Sequence, residues 1–353
     1  MYNRLNLPEI IAMAKERRAS DIHIVCGVPI RIRVDGELVD LNDDVLNEGD
    51  CESYAREISV HYDEIRYIGE QDLAVTIAGE TRCRINLFRQ RGSVSAAIRI
   101  LNDHIPDFDE LGLPPITKHF PEYSQGIVLV TGETGSGKST TLACILNRIN
   151  HTQRKHIITL EDPIEYIHTS DKCTINQREV GRDTRSFEDG LNAILREDPD
   201  VILVGEMRNL ATIETALTAA ETGHLVFATL HTNSASDAID RIVDVFPASQ
   251  QSQIRTQLSL SLKAVLAQQL LPRISGVGRV LAYEVMQVNG AIRNLIWEGK
   301  TPQIPNVIAT TASEGNVLMD SSLIRLYKDH EISRETARLA AHDINLVHKA
   351  TLF

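Results

Sequence analysis

Little in this 353-residue chain is suited to crossing a membrane or to stapling a small scaffold. Its longest clean apolar runs are stretches such as IVLV at 127–130 and VILV at 201–204, far short of the ~18 to 20 residues that span a bilayer. The opening MYNRLNLPEIIAMAKERR lacks the apolar core and small-residue cleavage site of a secretion signal and reads as an amphipathic helix, so the expected location is the cytosol. Only five cysteines occur (Cys26, Cys51, Cys83, Cys144, Cys173), widely spaced and without a CxxC pair, which excludes a disulfide framework and a zinc knuckle. Aromatic residues make up 5% of the chain, with a single tryptophan. Positive charge is short too: 36 Lys and Arg against 48 Asp and Glu leave a formal charge of −12, and there is no basic run interleaved with aromatics. A nucleic-acid partner is therefore not expected. What remains is an ordinary globular composition, 42% hydrophobic and 24% charged, at a length that suits two domains.

Residues 1–105 read as an opening helix followed by short alternating segments, an α+β domain with a mostly antiparallel sheet. DIHIVCGVPIRIRVDGELVDL carries strand periodicity with a turn at Asp35 and Gly36, Cys51 to Arg66 is helical, and LAVTI, TRCRINLF and VSAAIRIL alternate again. Four of the twelve prolines fall between residues 103 and 124, which places a linker at 106–124. From 125 to 290 the pattern becomes buried strand, turn, helix, repeated, as in a parallel sheet covered on both faces. Leu258, Leu262, Val265, Leu266 and Leu270 are expected to form one helical stripe ending at Pro272, and residues 291–353 a helical C-terminal region.

The strongest motif is GETGSGKST at 132–140, which fits G-x-x-x-x-G-K-[ST] between a buried strand and a helix. The backbone of such a loop wraps a phosphate, and the helix N-terminus adds partial positive charge. The candidate nucleotide-binding residues are thus Gly132, Glu133, Thr134, Gly135, Ser136, Gly137, Lys138, Ser139 and Thr140, with Lys138 on the β/γ-phosphates and the Ser139 hydroxyl on Mg²⁺. Glu133 is compatible with an anion nest only if its carboxylate points outward. VILVGEMR delivers Glu206 at a strand end, where ligands of open α/β sheets bind and where an acid can face Mg²⁺ and the attacking water. ITLEDPIEY offers Glu161, Asp162 and Glu165 as general base or water orienter. In TGHLVFATLHTNSA, His224 and His231 are separated by a strand and do not form a metal pair. His231 suits phosphate sensing, and a satisfied core position is an equal reading for His224. Between Thr81 and Asn102 five arginines occur without an acid. Of these Arg82, Arg84 and Arg99 are candidate fingers that neutralise transition-state charge.

Taken in order, GETGSGKST, EDPIEY, VILVGEMR and TGHLVFATLHTNSA resemble the phosphate loop, Asp box, atypical Walker B and His box of the secretion ATPase superfamily. NQREVG (176–181), RIVDVFP (241–247) and AIRNLIWEGK (291–300) resemble its pilus-retraction branch, the motors of twitching motility. The resemblance covers nearly the whole chain. It implies an α/β protein, a RecA-like P-loop NTPase domain with a smaller PAS-like N-terminal domain. It further implies ATP and Mg²⁺ as cofactors, and a homohexamer that powers type IV pilus retraction by nucleotide-driven domain closure. The partner it implies is an inner-membrane platform protein, with the pilus assembly ATPase as a further one, and the place is the cytoplasmic face of the inner membrane. By matching position, Glu165 is the catalytic carboxylate, Glu206 the Walker B acid, and His224 with His231 the His-box pair, while Arg82, Arg84 and Arg99 contact or adjoin nucleotide. The family usually carries Pro at the place of Glu133 and Arg at that of Trp297. The chain has no tetracysteine zinc module and no long N-terminal extension of the assembly type, which favours retraction. The alternatives are a traffic ATPase of type IV secretion or conjugation, a RecA-like nucleic-acid motor, and a nucleotide-gated ring without turnover.

Overall fold

The computed structural model describes residues 4–34, 36–77, 81–101 and 104–351. The chain forms two compact units, the first Met1–His104 with Pro163–Ile167, the second Ile105–Asp162 with His168–Phe353. In the first unit, helix α1 (Leu7–Glu16) starts where Asn6 and Glu9 close a reciprocal capping box, the Asn6 side chain accepting from Glu9 N at 2.9 Å and the Glu9 carboxylate from Asn6 N at 2.8 Å. Strands β1 (Asp21–Ile24), β2 (Arg31–Val34) and β3 (Glu37–Asp40) follow, then helices α2 (Glu48–Ile58) and α3 (Tyr62–Ile68), then β4 (Glu70–Ile77), β5 (Thr81–Gln90) and β6 (Ser93–Ile100). The helical stretch read from Cys51 to Arg66 is thus two helices, because Ser59 is extended and ends the first. The six strands form one antiparallel sheet in the order β3-β2-β1-β6-β5-β4. Cys83, Ile85 and Leu87 of β5 join Ile22, Ile98, Ile10 and Tyr54 in the core, so the alternation of the strand sends Arg82 and Arg84 to the other face. The turn between β2 and β3 keeps Gly36 at φ 89°; Asp35 lies outside the described residues, as do Asn102 and Asp103.

The second unit is built on a seven-stranded sheet in the order β13-β12-β7-β11-β10-β8-β9. Its strands are β7 (Gly126–Thr131), β8 (His156–Glu161), β9 (Thr174–Glu179), β10 (Val201–Val204), β11 (Leu225–Leu230), β12 (Leu262–Pro272) and β13 (Arg279–Gln287). All neighbours are parallel except the β12/β13 hairpin. Every residue of β7, β10 and β11 is buried, as both-face coverage requires. Helix α4 (Lys138–Thr152) covers one face through Leu142, Ile145 and Ile149. On the other face lie α5 (Phe187–Ile194), α6 (Leu210–Glu221), α7 (Ala235–Asp244), α8 (Ala248–Ser261) and α9 (Gly290–Glu298). Residues 106–124 are part of this unit: a 3₁₀ helix at Pro115–Glu122 carries Phe120, which packs with Phe108 and Leu113 into the core under α4. Beyond α9, helices at Ile304–Thr310, Met319–Lys328, Arg334–Ala340 and Ile344–Ala350 complete the C-terminal region.

One expectation fails. The stripe through Leu258, Leu262, Val265, Leu266 and Leu270 is not a single helix: α8 ends at Ser261, and Leu262–Pro272 is a strand paired with β7 on one side and β13 on the other. The run is rich in Leu, Ala and Gln, good helix formers, but β7 offers an open edge, and pairing there satisfies the backbone of a segment buried on both faces.

Candidate functional site

The parallel register brings the C-terminal ends of four strands together: Leu230 sits beside Thr131, and Val204 beside both Ala228 and Leu160. From the end of β7 the chain turns through Gly132 (φ 142°), Gly135 (φ 80°) and Gly137 (φ 92°) into α4. Gly132 has no alternative, because a Cβ there would lie 2.4 Å from the Gln268 carbonyl oxygen and 2.6 Å from Ser136 Oγ. Gly137 is the N-cap of a 15-residue helix with no side-chain cap and no acid in its first turn, so the first-turn amides and the positive helix end face the loop. The Lys138 ammonium donates to the carbonyls of Gly132 (2.7 Å) and Glu133 (2.9 Å), inside the same turn. The Ser136 and Thr131 hydroxyls are buried without a hydrogen-bond partner. Donors without acceptors beside an open helix end fit a phosphate group. Glu133 is exposed and accepts from Asn233 Nδ2 at 3.3 Å, away from the nest, which removes the conflict of an acid in an anion loop. Ser139 and Thr134 are exposed, and Thr140 is half-buried in the first turn.

Glu206 follows β10 at the same C-terminal edge of the sheet, with β11 between it and the strand that leads into this loop. Gly205 donates to the Leu160 carbonyl at 2.8 Å, and a Cβ on it would meet that oxygen at 3.1 Å and Glu161 Cα at 3.2 Å, so a side chain there would push the ends of β8 and β10 apart by a few tenths of an ångström. The Glu206 carboxylate is gripped by Arg208, Nε on Oε1 at 2.7 Å and a second nitrogen on Oε2 at 2.8 Å, while His231 Nε2 stands 3.3 Å from Oε1. The Arg208 hydrogen bond holds the Glu206 carboxyl below the usual range, against the opposing effect of its partial burial. Glu161, at the end of β8, accepts from the Thr159 hydroxyl at 2.6 Å and from Gln177 Nε2 at 3.3 Å.

One candidate of the second unit is placed elsewhere. His224 precedes β11 at the opposite edge of the sheet: its carbonyl accepts from Gly126 N, its Nδ1 lies 3.0 Å from the Ala219 carbonyl, and the six residues of β11 put roughly 20 Å between it and His231. Within this chain the contact with Ala219 agrees with the structural reading of His224, and it is His231 that stands at the strand end beside Glu206. Glu165 belongs to the Pro163–Ile167 segment of the first unit, whereas Glu161 and Asp162 belong to the second. In the first unit Arg82 is buried and its Nε donates to the Ile164 carbonyl at 3.4 Å, next to Glu165. Arg84 is exposed and stands opposite Arg99, whose Nε pairs with Asp21 at 2.9 Å.

Sequence reasoning overlooked Arg208, although its place two residues after Glu206 in an extended segment was a usable signal. It also overlooked two residues of the β12/β13 hairpin: Gln268, which is buried and donates to Thr141 Oγ1 at 2.9 Å, and Arg279, which reaches the Gly135 carbonyl at 3.2 Å. A glutamine in an apolar run hinted at the first; nothing hinted at the second.

Comparison with known proteins agrees with this geometry. The family described as Type II/IV secretion system protein matches residues 3–298. The type IV pilus retraction ATPase PilT of Pseudomonas aeruginosa is 45% identical over 336 residues, 95% of this chain and 97% of that protein. A twitching motility protein of Neisseria gonorrhoeae is 47% identical over 317 residues, 88% of this chain and 84% of that protein. A crystal structure of the pilus retraction motor PilT with bound ADP superposes with a TM-score of 0.92 at 48% identity, over 98% of this chain and 100% of that one. With a phosphate loop on a parallel sheet and a family match over most of its length, the chain belongs to the type II/IV secretion system protein family, among its RecA-like ATPases.

Proposed function

We propose that this protein is a Mg²⁺-dependent ATPase that works as a ring of six and powers type IV pilus retraction. The observation that carries the reading is the turn from Thr131 to Ser139, where an uncapped helix end, a lysine and two buried unpartnered hydroxyls converge at the sheet edge that also carries Glu206. In this reading Lys138 and the loop amides hold the phosphates, and Ser139 with Glu206 holds the metal, which polarises the γ-phosphate when bound. Glu165 or Glu161 orients the attacking water, with Glu165 favoured by its place in EDPIEY, and His231 sits on Glu206 where a phosphate-sensing group would be useful. Arg84, exposed on its sheet face, is the candidate for neutralising charge, and buried Arg82 positions the segment that carries Glu165. The roles of the two relatives, pilus retraction and twitching motility, favour retraction over secretion traffic. A platform protein at the cytoplasmic face of the inner membrane would dock on α9, whose Ile292 and Ile296 are buried while Trp297 is 60% exposed. Deleting the gene in the source bacterium is expected to leave excess pili that do not retract. Normal retraction in the deletion strain contradicts the assignment.

A further inference from the structure

Both oxygens of Glu206 are engaged by one guanidinium, and the fork is two-pronged: 2.7 Å from Arg208 Nε and 2.8 Å from its second nitrogen. Such a fork balances the charge of the acid and occupies one lone pair on each oxygen, so a metal or a metal-bound water must compete with it. The Arg208 side chain is mostly exposed and follows a strand end without being packed, so it is able to swing. A second carboxylate lies at the same sheet edge: Leu160 of β8 pairs with Val204 of β10 and accepts from Gly205 N at 2.8 Å, so Asp162, which is exposed, and Glu206 each stand two residues past that register, and the Asp162 charge acts on Arg208.

Resting on the nucleotide-site reading, we propose that Arg208 is a latch on Glu206, a positioning residue that pairs with Glu206 until Mg²⁺ and nucleotide load and then transfers to Asp162. Closed, the latch keeps a strand-end carboxylate oriented and charge-balanced at the sheet edge that also carries the phosphate loop, where a bare acid would repel incoming phosphates. Open, it releases the oxygens to the metal. The latch gives Arg208 no contact with the reacting atoms, and its effect runs through the availability of Glu206.

The test is the binding of Mn²⁺ to the full chain in the presence of ADP, followed by electron paramagnetic resonance in wild type, Arg208→Ala, Arg208→Lys and Asp162→Asn. Arg208→Ala is expected to tighten Mn²⁺ by roughly 5-fold, the scale of an exposed ion pair. Arg208→Lys keeps the charge but cannot fork, and is expected to show at least half of that gain. Asp162→Asn removes the open-state partner and is expected to weaken Mn²⁺ by about 2-fold. In a Glu206→Gln background, Arg208→Ala is expected to change nothing. Tightening in Arg208→Ala with wild-type behaviour in Arg208→Lys would mean charge alone and overturns the latch, as does unchanged or weakened Mn²⁺ in both. Absence of Mn²⁺ uptake by wild type with ADP overturns the nucleotide-site reading itself, and the latch with it.

Discussion

A carboxylate just past a buried strand has its charge and direction set by its neighbours, and those of Glu206 are Arg208 and His231. Because its neighbours tie it to the strand ends rather than to the phosphate loop, its loss is expected to spare nucleotide binding. Glu206→Ala and Glu165→Ala should each keep ATP affinity within about 3-fold while lowering turnover by roughly 100-fold or more, the scale of a lost acid–base or metal-positioning group. Parallel measurement of affinity and phosphate release checks this. A loss of binding as complete as that of a P-loop lysine variant contradicts it. A second residue-scale effect concerns stability. His168 has its Nδ1 buried without a partner, and burial pushes its pKa down to about 4 from 6.5. Between those values the unfolded chain binds a proton that the folded one refuses, so stability is expected to fall as pH drops from about 6.5 towards 4. His168→Gln should remove one proton's worth of that slope in denaturation midpoints taken across the window. An unchanged slope contradicts it.

At the scale of elements, the phosphate loop depends on the β12/β13 hairpin beneath it. Gly132 faces the Gln268 carbonyl at a distance that excludes a Cβ, and the Gln268 side chain in turn holds Thr141 of α4. Gly132→Ala is therefore expected to abolish nucleotide binding and to lower stability by roughly 2 kcal/mol or more. Gly181→Ala, at φ 84° with open space around it, should lose only the backbone term of about 1 kcal/mol and keep binding. Thermal melts and nucleotide titration of both variants compare the two. This dependence also marks where the sequence stopped being legible. The phosphate loop, the strand ending at Glu206 and the α6–β11 pair could be read because glycine, apolar runs and caps agree there with local structure. Leu262–Pro272 could not, because a segment buried on both faces shows no period of its own, and its state is set by the open edge of β7. Likewise Arg279 reaches Gly135 only through the hairpin, a contact 144 residues apart in sequence.

The whole molecule is organised as two units with separate cores, one under an antiparallel sheet and one on both faces of the seven-stranded sheet. Among the described residues no helix is long and apolar enough to cross a membrane, and the five cysteines are free thiols. The chain passes between the units after His104, after Asp162 and after Ile167, so the EDPIEY motif is divided: Glu161 is carried by one unit and Glu165 by the other. That division was invisible in the motif, whose carboxylates lie within five residues. Everything in this account passes through the phosphate loop, and its most direct test is calorimetric titration of ADP with Mg²⁺ into wild type and Lys138→Ala. The account predicts saturable heat at about one nucleotide per chain in wild type and none in folded Lys138→Ala. No heat in wild type, or the same heat in both, contradicts it.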